Sequence, residues 1–198
     1  MVLHLVTHCL IHPTTIRSAR LIWTFRRHYE RFAVEGTGDR AAGYVLAASQ
    51  LGISVKRVQE VIEDWMLVVP LRYIRACRFP FVAEFMSELR RRSIKIGVLS
   101  DYPSERKLCA LELNAEAVID AGSEEVAAPK PHPKGLLMIC EQFEVEPSNV
   151  LFIGDREDRD AEAARRAGAH YLLKTAHRPY GPYFSSYQDL LNSLKATA

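Results

Sequence analysis

The amino end carries the run MVLHLVTHCLI, which is short, β-branched and apolar, and Pro13 stops it. That pattern predicts one buried strand. Thr14 or Thr15 is placed to cap the helix that follows. Over residues 16–34, Ile16, Leu21, Trp23, Phe25 and Tyr29 alternate with Arg17, Arg20, Arg26, Arg27 and Arg31, the signature of an amphipathic helix with a basic outer face. The segment EGTGD breaks it. Two further helical stretches are expected at 40–50 and 55–66, the second opened by Ser54 at an N-cap position, and Pro70 closes this helical region.

Beyond Pro80 a helix through Phe85 and Leu89 ends in the basic run Arg90 to Arg92, and the pattern then changes to IKIGVLS, a buried strand. From there the rhythm is strand, helix, strand, helix. The runs AVIDA, VLFIG and HYLLK are separated by helical stretches beginning near Ser104, His132 and Asp158. This is the reading expected of βα units in a parallel sheet. Tyr180, Tyr183, Phe184 and Tyr187, with Pro179 and Pro182, read as a packed carboxyl-terminal tail.

Composition narrows the class. A chain of 198 residues, 48% hydrophobic and 25% charged, suits one globular core with a small accessory part. A formal charge of +2 is too mild to demand a nucleic-acid or membrane partner, and the arginines between Arg17 and Arg31 are expected to form a solvated face. The apolar stretch at the amino end, broken by His4 and His8, has no basic leader and falls short of the roughly 20 residues of a membrane span. Cys9, Cys77, Cys109 and Cys140 lack CxxC or zinc-like spacing and read as small core residues. A reducing cytoplasm is the expected compartment. His4, His8 and His12 recur at fixed spacing but have no partnering Cys/His cluster, so a histidine metal site is disfavoured.

Candidate chemistry lies at three strand ends. Ser100 and Asp101 follow IKIGVL; Lys130 sits in the loop APKPHPKG; Gly154, Asp155, Asp158 and Asp160 follow VLFI. Loops at the carboxyl ends of parallel strands are where open α/β sheets hold ligands. A hydroxyl, an ammonium and a carboxylate cluster delivered to one sheet edge suit a phosphate and a divalent cation, magnesium by its preference for oxygen ligands. Each residue has a plainer role as well: Asp155 as a helix N-cap, Lys130 as a solvated loop residue, Ser100 as a turn residue. His132, in the same loop as Lys130, is a candidate phosphate neighbour.

The strand ending in Ser100, the KPHP around Lys130 and IGDREDRD resemble the second, third and fourth motifs of the haloacid dehalogenase (HAD) superfamily of hydrolases, in that order, over about Pro80 to Lys174. The resemblance implies a Rossmann-like parallel sheet flanked by helices, with a small α-helical cap inserted after the first strand. Residues 1–13 and 79–198 would then form the core and residues 14–78 the cap. It further implies that Ser100 and Asp101 lie at the phosphate, that Lys130 neutralises the nucleophile and the transferring phosphoryl group, and that Asp155, with Asp158 or Asp160, holds Mg2+.

The first motif departs from the family. DxDx(T/V) at the end of the first strand supplies an attacking aspartate and an aspartate acid/base. Here Leu5 falls at the nucleophile position, Thr7 at the acid/base position and Cys9 at that of the threonine, and no aspartate precedes Asp39. The expectation is a pseudoenzyme of the magnesium-dependent small-molecule phosphatase lineage that binds a phosphorylated small molecule or anion. Two alternatives stay open: a non-catalytic regulatory protein that binds a phospho-ligand or a protein partner, and an amino-terminally truncated active phosphatase. A dehalogenase proper needs the same aspartate. A two-component receiver does not suit the long insert after the first strand.

Overall fold

The computed structural model describes residues 13–35, 39–176 and 181–196. The strand expected before Pro13, with Leu5, Thr7, Cys9 and the three early histidines, lies outside these residues.

Helix α1 spans Pro13–Glu35. It starts at the proline rather than after Thr14 or Thr15, because proline's fixed φ suits a first helical turn in which its missing N–H is no loss. The 3.6-residue period places Leu21, Phe25 and Tyr29 on one buried stripe. Helix α2 (Arg40–Leu51) is opened by Asp39, whose carboxylate accepts the Ala42 N–H at 2.8 Å, and closed by Gly52 in the left-handed region at φ 65°. Helix α3 (Val55–Ile62) is opened by Ser54, which accepts the Arg57 N–H at 3.2 Å. Helical backbone does not stop at Pro70. A π-turn over Glu63–Val68 leads into two 3₁₀ turns, Val69–Arg72 and Ile74–Cys77, the proline being tolerated in the first turn of a new segment.

These helices build a cluster of their own from Leu21, Phe25, Tyr29, Ala47, Ala48, Val58, Val61 and Ile62. Phe25 stacks on Tyr29 and on Tyr44, with ring centroids 5.7 and 5.1 Å apart.

Helix α4 (Val82–Arg91) leads to strand β1 (Gly97–Ser100), helix α5 (Glu105–Leu111), strand β2 (Ala117–Asp120), helix α6 (Lys134–Phe143) and strand β3 (Leu151–Gly154). A π-turn (Glu157–Ala161) runs into helix α7 (Glu162–Ala167), followed by strand β4 (His170–Lys174), the two-residue strand β5 (Tyr183–Phe184) and helix α8 (Tyr187–Ala196). Every described pairing is parallel: β1 with β2, and β3 with β4 with β5. The expected strand–helix alternation is therefore present. Within each sheet the register puts carboxyl ends level, Ser100 opposite Asp120 and Gly154 opposite Leu173.

A second apolar cluster joins Leu99, Ala117, Leu136, Ile139, Phe143 and Ala164, with α6 laid across β1 and β2. Of the expected tail, Pro179 and Tyr180 lie outside the described residues, while Phe184 and Tyr187 are packed. Tyr187 meets Phe79, Phe85 and Phe184 at centroid distances of 6.0, 5.6 and 5.2 Å. The cysteines need correction. Cys140 is buried, but Cys77 and Cys109 are exposed, because one ends a solvent-facing 3₁₀ turn and the other lies on the outer side of the short α5. No helix among the described residues is long and apolar enough to cross a membrane.

Candidate active site at the strand ends

The charged residues that follow β1, β2 and β3 converge. Asp160, 4% exposed, is the centre of the group. Its Oδ1 accepts the Lys130 ammonium at 2.8 Å, and its Oδ2 accepts the backbone N–H groups of Asp155 and Arg156 at 3.0 and 3.1 Å. Burial pushes this carboxyl up, but Lys130 and the two N–H donors outweigh it and hold the group below the usual carboxylate range. The chain can approach this closely because Gly154 has no side chain: a Cβ there would overlap the Asp160 carboxylate.

Lys130 is fixed at both ends. Its ammonium lies 5.9 Å above the Phe152 ring, and its backbone N–H donates to Asp101 Oδ1 at 2.9 Å. The other Asp101 oxygen faces Arg159 Nη1 at 3.4 Å, while Arg159 Nη2 stands 3.9 Å from Glu30 on α1. The Asp101 carboxylate is thus turned toward donors of the protein. Ser100 Oγ, half-buried at the end of β1, accepts the Tyr102 N–H at 3.2 Å.

The three candidate metal carboxylates have different surroundings. Asp155 is exposed, and its carboxylate makes no hydrogen bond to another described residue. Asp158, also exposed, is held by Arg156 through contacts of 3.2 and 2.7 Å, and the same guanidinium keeps its carboxyl below the ordinary range. Asp160 is committed to Lys130 and the backbone. Among the described residues no group of three or more His, Cys, Asp or Glu side chains could hold a metal. His132 Nδ1 accepts the Lys134 N–H at 3.1 Å, a local turn contact.

Several participants leave no local trace in the sequence. Tyr29 donates its hydroxyl hydrogen to the Asp101 carbonyl at 2.8 Å, and burial pushes its phenol far up. Arg40 pairs with Asp120 at the end of β2, with Nη1 at 2.9 Å and Nη2 closer still, and its backbone N–H donates to the Gly122 carbonyl at 3.1 Å. Lys107 lies 5.7 Å from the centre of the Tyr102 ring, with burial pushing its ammonium down. Along α1, Trp23, Arg26, Arg27 and Glu30 line a crevice of about 540 Å³.

A family profile of haloacid dehalogenase-like hydrolases matches residues 54–168, more than half of the chain and all of Ser100, Asp101, Lys130, Asp155, Asp158 and Asp160. The chain belongs to this family. Among curated relatives of this HAD-like chain, phosphoglycolate phosphatase of Escherichia coli K12 is 29% identical over 128 residues, covering 59% of the chain and 50% of the relative. The corresponding enzyme of Salmonella paratyphi A is 27% identical over the same share. The chain thus spans about half the length of the curated relatives it matches.

Solved structures agree in fold. L-2-haloacid dehalogenase of Xanthobacter autotrophicus, with chloropropionic acid covalently bound, superposes with a TM-score of 0.64 at 15% identity, covering 98% of this chain and 91% of that one. A HAD-superfamily hydrolase of Geobacter sulfurreducens gives 0.55 at 23% identity over 71% and 73%. The parallel α/β architecture is that of the HAD-like, Rossmann-type proteins.

Proposed function

We propose that this chain is a phosphatase-type HAD protein that keeps a phospho-ligand site and lacks the attacking aspartate. The observation that carries the reading is the Lys130 ammonium, held 2.8 Å from Asp160 at the rim where Ser100, Asp101 and Asp155 also end. In this reading residues 14–78 are the cap over an α/β core made of residues 1–13 and 79–198; the separate apolar cluster of α1 to α3 supports that division. Lys130 attracts a phosphoryl group, and the Ser100 hydroxyl, whose oxygen accepts the Tyr102 N–H, keeps its hydrogen free to donate to a phosphoryl oxygen.

Asp155 fits magnesium as one carboxylate ligand, since the ion takes one or two carboxylates and completes its shell with water and phosphate oxygens. Asp158 and Asp160 are engaged elsewhere, so the site offers fewer oxygens than the resemblance implies. When bound, the cation would screen phosphate charge from Asp155. The match to phosphoglycolate phosphatases supports a small phosphorylated molecule as the ligand class. The mild net charge supports a small anion over nucleic acid, and a cytoplasmic location is proposed with it.

The chemistry fails at the first motif. Leucine at position 5 forms no acyl-phosphate, and threonine at 7 is no acid/base at neutral pH. Losing a covalent nucleophile costs of order 8 kcal/mol in barrier height, several powers of ten in rate. The test is p-nitrophenyl phosphate turnover with magnesium in the native chain and in the Leu5→Asp/Thr7→Asp double variant. Background rates in the first and activity in the second are expected; robust turnover by the native chain overturns the reading.

A further inference from the structure

Asp101 touches three parts of the molecule at once. Its carboxylate takes the backbone N–H of Lys130 at 2.9 Å, its second oxygen faces Arg159 at 3.4 Å, and its carbonyl takes the Tyr29 hydroxyl hydrogen at 2.8 Å. The aspartate and the arginine side chains are 12% and 9% exposed, so these contacts are made largely away from water, where an electrostatic contact is less screened.

The neighbouring chain is shaped around the tyrosine bond. A Cβ at Gly122 would overlap Tyr29 Oη and lie 2.7 Å from the Asp101 carbonyl oxygen. Tyr102 packs on Tyr29 at 5.5 Å, and Glu30, one residue on, reaches toward Arg159. One residue therefore anchors helix α1 and the loop that carries the site ammonium. A carboxylate so placed would repel a phosphate if it faced one; here it is directed to N–H donors and its charge is opposed by Arg159.

We propose that Asp101 is a positioning residue that joins the seating of helix α1, through Tyr29, to the placement of Lys130, so that loosening the helix displaces the ammonium. Among the described residues Tyr29 makes no hydrogen bond to Lys130, and the link runs through the Asp101 backbone and side chain. The consequence for ligands rests on Lys130 being an anion-binding group, as proposed above; the anchor itself rests on the geometry alone.

Two readouts keep these apart: hydrogen exchange of the Lys130 backbone amide by NMR, and the Kd for inorganic phosphate. Four proteins suffice beside the native chain: Asp101→Ala, Asp101→Asn, Tyr29→Phe and Lys130→Ala. Asp101→Ala removes the acceptor, and about tenfold faster exchange of the Lys130 amide is expected, the size of one net hydrogen bond. Asp101→Asn keeps an acceptor oxygen and should restore exchange to within about threefold of native. Tyr29→Phe deletes only the hydroxyl, yet it should speed Lys130 exchange and raise the phosphate Kd by roughly threefold to tenfold.

A Lys130 amide and a phosphate Kd unchanged in Tyr29→Phe would overturn the proposal, as would Asp101→Asn behaving like Asp101→Ala. Should Asp101→Ala fail to fold, the tyrosine and asparagine variants carry the same test. If the native chain shows no phosphate affinity, or Lys130→Ala leaves that affinity intact, the functional reading of Lys130 falls, and amide exchange still decides the anchor.

Discussion

Replacing Asp160 by asparagine keeps the side chain's size and removes its charge. In the native protein one carboxylate oxygen serves the Lys130 ammonium at 2.8 Å and the other serves two backbone N–H groups at 3.0 and 3.1 Å. An amide has one oxygen and one NH2. Whichever way it turns, its NH2 group meets either an ammonium or a pair of N–H donors. The two side chains are 6% and 14% exposed, so water cannot take over the lost contacts fully. Removing one partner of a buried pair costs about 3–5 kcal/mol, and the slight exposure of Lys130 favours the lower end, about 3 kcal/mol. For a chain of this length that is a fall of roughly 6–12 °C in Tm. Urea unfolding of Asp160→Asn, Lys130→Met and the double variant supplies the assay. The double variant should be less destabilised than the sum of the singles, because neither charge is then stranded. Strict additivity, or an asparagine variant melting within about 2 °C of the native protein, refutes the claim that this pair organises the rim.

Two further outcomes follow from the same contacts. Because the folded Asp160 carboxyl is held below its unfolded value, it contributes stability above that value, near pH 4, and the contribution is lost as pH falls through the folded pKa; urea midpoints between pH 7 and 2.5 should decline more steeply in the native chain than in Asp160→Asn. Gly154→Ala should cost about 1–3 kcal/mol by overpacking, since the added methyl group would meet the Asp160 carboxylate; a denaturation midpoint equal to that of the native protein would contradict that close approach.

The parallel strands were legible because they read as short apolar runs, and IKIGVL, AVID, VLFIG and HYLLK stand out between helical periods; their order, and the division of the described strands into two sheets, was not. One helix start was legible because its capping side chain, Ser54, lies beside its own helix; the Asp39 cap was not read from the sequence. Contacts that join distant segments were not legible. Tyr29 reads only as one more aromatic on a helix stripe, and nothing in its surroundings in the chain points to Asp101; the same holds for Arg40 and Asp120. The acidic run after β3 shows the limit most clearly. GDREDRD offers three aspartates of equal promise, and only the fold divides them. Asp160 turns inward to Lys130, Asp158 is taken by Arg156, and Asp155 is left facing solvent. Pro70 misled because a proline ends one helix but is accommodated at the start of the next turn.

The cations of the rim already have their counter-charges among the described residues. A buried ammonium needs a partner, and if that partner were supplied by the first strand alone, its loss would leave Lys130 stranded at a cost comparable to much of a domain's net stability. Here Lys130 is paired with Asp160, from the same loop system as Asp155, and Arg159 is opposed by Asp101 and Glu30. Arg40 is likewise paired with Asp120 at the end of β2, so Lys130, Arg159 and Arg40 each have an anion among the described residues. Under the proposed function, leucine at 5 and threonine at 7 would remove chemistry without leaving these cations uncompensated. In the proposed function, charge pairing and reactivity rest on different residues, and a substitution that ends the second need not weaken the first.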